Sequence, residues 1–341
     1  MSLTASRDSL LDAIVDLLWG QWTELGVGGT RGTSASIIDP EALLAATSIF
    51  GRYEPRLLDE VLDWLAGHSG VLDVTRLRRV SSVCQLGDKR LLRVLVDFMR
   101  DRSSSDKWSG AADRALAGEE LEPYAPQSLF RTPDGSALPT FGGQDRFFAS
   151  HGYERPELTL RGLSGAPDLR RPASARLRLR ALMGQGVRPE ALLYLSTHDH
   201  AHGRLIAERA AFSQRQTAEY LTGLAQAGMA ESWAEGRRLE YRLVPPLGAL
   251  GDGVAPYVDW VAAFAVLATV WTALSGAALE PDAYRSSTLL RSGLERAREG
   301  LPVEGFGLAL PEPERYPGDQ LIDHAIEFAA AAAERVRAFA G

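Results

Sequence analysis

Twenty consecutive residues, Trp260–Leu279, carry no charged side chain, and this run limits the fold more than any other part of the chain. A helix that is apolar all round has no face for water, so other elements or lipid must cover it on every side. The run is rich in Ala, is interrupted by Thr, Ser and Gly, and is flanked by acidic rather than basic residues. Membrane spans favour basic cytoplasmic flanks. The expectation is a buried helix of a globular or dimer core, with no membrane partner.

Covering such a helix takes several others, and the apolar period supplies them. Residues 9–25 place Leu10, Leu11, Ile14, Leu17, Leu18 and Trp22 on one side of a helix. Residues 56–66 make a second stripe from Leu57, Leu58, Val61, Leu62 and Leu65, with Asp59, Glu60 and Asp63 facing outward. Asp39-Pro40-Glu41 combines an Asp cap, Pro at the first helical position and an early acid, which starts another helix. Further helices are expected at 74–84, 88–100, 284–299 and 319–339. Arg76, Arg78, Arg79, Lys89, Arg90 and Arg93 make the 74–84 and 88–100 pair basic, which reads as a charged bundle face rather than a second nucleic-acid surface. Residues 26–36 form a Gly-rich turn without the Gly-Lys-Ser/Thr ending of a phosphate loop. From 101 to 170 the composition becomes that of a linker and an irregular connector. A Thr132-Pro133-Asp134-Gly135 turn and the anchors Phe130, Phe141, Phe147 and Phe148 are expected there. The class is mainly α: a helical bundle to about residue 100, the connector to 170, a central unit at 171–246 and a helical region at 247–341.

The central unit has a distinct order. Residues 189–195 and 203–211 read as helices, the second with Leu205, Ile206 and Ala210 on one face. Ser213 and Gln216 form a reciprocal cap that opens a third helix, in which Thr217, Leu221, Leu224 and Ala225 face inward. Gly228 supplies a left-handed stop. Residues 229–234 and 239–244 are short strands joined through Glu235-Gly236-Arg237-Arg238. The stretch AERAAFSQRQTAEYLTGLAQAGMAESWAEGRRLEYRL resembles the winged helix-turn-helix of ArsR- and MarR-type transcriptional regulators.

That resemblance implies double-stranded DNA as partner, with the third helix in the major groove. Arg215 then suits guanine, Gln214 adenine and Glu219 the amino group of cytosine, with Ala218 and Thr222 on the same outward face. Ser213 and the helix N-terminus would hold a phosphate, Arg204 and Arg209 would touch phosphates, and the wing-tip Arg237 and Arg238 would follow the backbone or the minor groove. Charge agrees: residues 171–246 hold 11 Arg and no Lys against 7 acids, or +4, which leaves −11 of the net −7 for the rest. The implied function is a transcriptional regulator, a repressor by default. It is a homodimer through its flanking helices, with room for a small effector. The alternative is an antitoxin-like interaction subunit whose winged helix docks a partner protein.

Other chemistries have little footing. His198, His200 and His202 alternate in a loop, a metal-ligand flavour without the thiolates of metal-sensing ArsR regulators. No cofactor is expected. The chain lacks Gly-x-Ser-x-Gly, His-Glu-x-x-His and Rossmann signatures, and the acid pairs Asp59/Glu60 and Glu119/Glu120 read as solvated faces, so no enzyme is expected. The lone Cys84 excludes an internal disulfide and reads as a buried structural thiol. With no charged segment leading into an apolar one at the start, a cytoplasmic chain is expected.

Overall fold

Polar caps set the helix starts. In eight helices of the described residues an Asp or Ser side chain accepts the amide three residues on, as Asp39 does from Ala42 and Asp259 from Ala262. The computed structural model describes residues 2–29, 34–103, 105–108, 125–247 and 253–340. The fold is mainly α-helical with two small β-sheets.

In chain order, α1 (Leu3–Glu24), α2 (Pro40–Phe50), α3 (Pro55–His68), α4 (Val74–Ser82) and α5 (Lys89–Arg102) come first. Because Ser2 caps α1, that helix begins ahead of the expected residue 9. The connector carries β1 (Gln127–Ser128), α6 (Arg146–Ser150) and β2 (Tyr153–Glu154), with β1 and β2 parallel. Next come α7 (Ala175–Met183), α8 (Val187–Thr197), β3 (Ala201–His202), α9 (Gly203–Ala210), α10 (Gln214–Gln226), β4 (Ala230–Glu235) and β5 (Arg238–Leu243). Three helices close the chain: α11 (Trp260–Leu279), α12 (Ala283–Arg298) and α13 (Gln320–Ala340). Parts of the Gly-rich turn and of the linker, and the Glu119/Glu120 pair, lie outside the described residues.

The uncharged α11 is long and apolar enough to cross a membrane by length and composition, and more than half of its apolar window is buried inside the protein. It packs against α1, α2 and α12, and α13 lies along α1, so the first and last helices share one core. The Trp260 indole anchors the start of α11 by donating to Ser36 Oγ at 3.2 Å and to the Ile37 carbonyl at 3.1 Å. α11 and α12 approach closely at Gly293, where a methyl group would lie 2.2 Å from Cβ of Ala273. Ala normally favours a helix over Gly by about 1 kcal/mol. Here we expect Gly293→Ala to destabilise the protein by about 1–3 kcal/mol through overpacking. Urea denaturation checks this, and a gain in stability would contradict the close approach.

Four expectations need correction. Glu60 and Asp63 do not face water but are buried, because the connector needs anions to dock on. Asp63 accepts the amides of Arg161 and Gly162 at 2.7 Å each and that of Ser164 at 3.3 Å. Asp59 accepts from Arg155 at 2.7 Å, and that guanidinium stacks over Phe130 and Phe148. Phe141 is no anchor, being 80% exposed, while Phe130 and Phe148 are buried. The basic pair α4–α5 is no open charged face at its first residue, since Arg76 is fully buried. Cys84 lies past the end of α4 and is only partly covered, with burial pushing its thiol pKa up.

Candidate nucleic-acid interface

The central unit folds around its own small core of Leu192, Leu193, Ile206, Leu221, Tyr241 and Leu243. β5 lies between β3 and β4, antiparallel to both, with Tyr241 opposite Ala201 on one side and Ser232 on the other. Glu235 pairs with Arg238, which leaves a two-residue hairpin loop with Gly236 at φ +61°. Such tight hairpin loops require a positive φ at the first central residue.

Helix α10 starts and stops by local chemistry. Ser213 Oγ accepts the Gln216 amide at 3.3 Å and donates to Gln216 Oε1 at 2.8 Å, so the glutamine meets the hydroxyl and not the Ser213 amide. At its end Gly228 adopts φ +68°, its amide bonds to the Ala225 carbonyl, and the Met229 amide reaches Leu224. This is the double hydrogen-bonded stop that a left-handed glycine permits. Thr217 and Leu221 are buried. Gln214, Arg215, Ala218, Glu219 and Thr222 are exposed, as are Arg204, Arg237 and Arg238. The structure therefore places the predicted contact residues on an open helix face, at the hairpin tip and at the start of α9.

Several of them are engaged locally. Arg215 pairs with Glu219 at 2.9 Å and Arg204 with Glu208 at 2.8 Å, each one helical turn away. The Ser213 hydroxyl proton is already given to Gln216, which weakens its role as a phosphate donor. Arg209 points inward to Asp259 and Glu304, both at 3.0 Å, and does not reach the outward face. Gln214, Arg237 and Arg238 have no ion pair or side-chain hydrogen bond among the described residues.

The turn between α9 and α10 is held from outside the unit. Ala211 takes a left-handed φ of +57°, a conformation that costs a residue with a Cβ on the order of 1–2 kcal/mol. Arg76 donates to the Ala210 carbonyl and Arg79 to those of Ala211 and Phe212, so α4 supplies cations to the carbonyl end of α9. Beneath lies a buried cluster of three arginines and three acids. Arg76 meets Asp39 and Glu41, Arg180 bridges Glu41 and Glu190, and Arg176 pairs with Asp39 and with Glu190 at 3.1 Å. In the sequence Asp39 and Glu41 read as helix-start residues, and no local pattern signals this cluster.

The three histidines do not converge. His202 caps α9 by accepting the Leu205 amide at 3.1 Å. His200 lies beside the Trp233 ring. His198 stacks on Tyr194 at 4.0 Å and pairs with Glu304 at 2.7 Å, and its other nitrogen sits 2.7 Å from the Tyr194 carbonyl. Burial alone would lower the His198 pKa, but the Glu304 carboxylate and the Tyr194 carbonyl outweigh it and hold it above 6.5. Burial would raise Glu304, but His198, Tyr194 and Arg209 outweigh it and hold it below 4.5. A raised His contributes stability that is lost as pH rises through its folded pKa. A lowered Glu contributes stability that is lost as pH falls through its own. We therefore expect this tie to be strongest between about pH 4.5 and 6.5. A proton NMR titration should show His198 titrating above 6.5 and falling in Glu304→Gln, whereas an unchanged midpoint would contradict the pairing.

The internal pairs also change the charge argument. Arg171, Arg176, Arg180 and Arg209 go to Glu24, Asp39, Glu41, Glu190, Asp259 and Glu304. The remainder of residues 171–246 is seven arginines against six acids, one of them the largely buried Glu240, so the surface is close to neutral and well below +4. No protein-family model, curated protein or solved structure matches the chain.

Proposed function

We propose that residues 171–246 form a winged helix-turn-helix that binds duplex DNA, and that the chain regulates transcription as a cytoplasmic homodimer. The observation that carries this reading is the outward face of α10, which is polar, exposed along its length and continuous in character with the exposed Arg237–Arg238 hairpin tip. From α8 onward the order helix, strand, helix, helix, strand, strand supports a winged-helix reading, with α7 as an additional helix ahead of it. At ~1.5 Å per residue α10 spans about 20 Å, enough to lie along a major groove about 12 Å wide. The wing then meets the phosphates beside it. The helical regions on either side share one core and hold the α9–α10 turn, so they act as a frame that orients the reading helix.

Docking of a protein partner is the second reading. It draws on the near-neutral surface and on a groove of about 630 Å³ beside α10, lined by Met183, Val187, Arg188, Glu219, Tyr220 and Leu224. Titration of a labelled mixed-sequence duplex with the intact protein at low salt separates the two. Saturable binding supports the DNA reading, and its absence moves the function to a protein partner.

A further inference from the structure

Beside the wing, His200, Glu235 and Glu240 each offer one ligand atom, and these atoms all lie within 4.8 Å of one another. They come from two places in the chain: His200 from the turn before β3, Glu235 and Glu240 from the two strands of the hairpin. Glu240 sits on the central strand, directly opposite Trp233, and is only 6% exposed. Its carboxylate has no hydrogen bond or ion pair among the described residues. The Glu240 side chain is largely buried while its carboxylate oxygens stay open to solvent, and a second carboxylate beside them adds repulsion. A cation between the two offsets that repulsion.

We propose that His200, Glu235 and Glu240 bind a divalent first-row transition cation, zinc being the natural choice. One imidazole and two carboxylates suit that class, whereas calcium and magnesium favour oxygen ligands alone. Zinc bonds of about 2.0–2.2 Å place ligand atoms roughly 3.3 Å apart, so small side-chain rotations of the exposed His200 and Glu235 close the site onto the fixed Glu240. The ion ties the wing to the turn before β3. It also adds two positive charges near Arg238, in a unit whose seven remaining arginines are nearly balanced by six acids. This last consequence rests on the DNA reading; the site itself does not.

The test is calorimetric titration of the chelator-treated intact protein with zinc chloride, alongside the absorption spectrum of the cobalt-loaded form. We expect one site per chain. Glu240→Gln, and separately His200→Ala, should weaken it at least ~100-fold, as loss of a direct ligand should exceed the 10–100-fold range of outer partners. Far-UV circular dichroism should be unchanged. No zinc uptake, or uptake that survives both substitutions unchanged, overturns the site. DNA titration of the chelated and zinc-loaded forms is the second arm, with an expected gain of about tenfold on loading. Zinc uptake with equal DNA affinity in both forms keeps the site and refutes the coupling. Zinc uptake with no DNA binding in either form keeps the site and refutes the DNA reading instead.

Discussion

Arg76→Met should destabilise the protein by about 3–5 kcal/mol, the cost of breaking a buried ion pair from one side. Arg76 is fully buried and holds Asp39, Glu41 and the Ala210 carbonyl at once. The cluster is neutral, with Arg76, Arg176 and Arg180 matched by Asp39, Glu41 and Glu190. Removing one cation leaves a net negative charge in a site that water does not reach, and that residual charge dominates the loss. Arg76→Lys should fare little better, because an ammonium cannot present a planar fork to two carboxylates and a carbonyl. Arg76→Met combined with Glu41→Gln removes one charge of each sign, so its cost should be smaller than the sum of the single changes. Burial would raise both carboxyls, but the arginines beside them outweigh it and hold Asp39 below 3.8 and Glu41 below 4.5. Stability from these groups is therefore present above those values and is lost only as pH falls through the lower folded ones. Urea denaturation of each variant reads all of this, and a loss under about 1 kcal/mol in Arg76→Met would show that the cluster contributes little.

The second large effect concerns DNA. Under the proposed function, Arg215→Ala should cost about 1–3 kcal/mol on a preferred site and relax the choice of base there. Arg237→Ala and Arg238→Ala should instead weaken every duplex alike, as phosphate contacts do. Glu219→Gln should act the other way. It releases Arg215 from its 2.9 Å ion pair and removes a negative charge from the outward face of α10. Affinity should rise, and Arg215→Ala should then cost more in that background than in the native one. Anisotropy titrations with one preferred and one scrambled duplex measure the four effects. If Arg215→Ala and Glu219→Gln both leave affinity unchanged, α10 does not lie against the bases.

Local chemistry was legible in the sequence; distant partners were not. Helix starts at Asp39, Asp88 and Ser213, the glycine stop at Gly228 and the Gly236 hairpin follow from short-range rules, and the structure has each of them. The same rules mislead where one residue does two jobs. Asp39 caps α2 and also neutralises Arg76 and Arg176, partners 37 and 137 residues further on that no local pattern can name. Asp63 belongs to a helix face that reads as solvated, yet it anchors the amides of residues 161–164. The +4 charge count failed for the same reason, because a formal sum cannot tell Arg180, buried on Glu41 and Glu190, from the exposed Arg237. The Glu304 tie to His198, Tyr194 and Arg209 carried no sequence signal beyond an isolated acid in a loop.

One measurement reaches the central claim most directly: duplex affinity across a salt series, with zinc present, for the native protein and for Arg215→Ala/Arg237→Ala/Arg238→Ala. Each phosphate contact releases counterions and contributes about −0.9 to the slope of log affinity against log salt. With Arg204, Arg237 and Arg238 on phosphates the native slope should be roughly −3, and the triple variant should lose most of its affinity and flatten toward about −1. A native protein that leaves the duplex unbound at low salt, or binds with a slope the triple variant shares, would contradict a DNA surface on α10 and the wing.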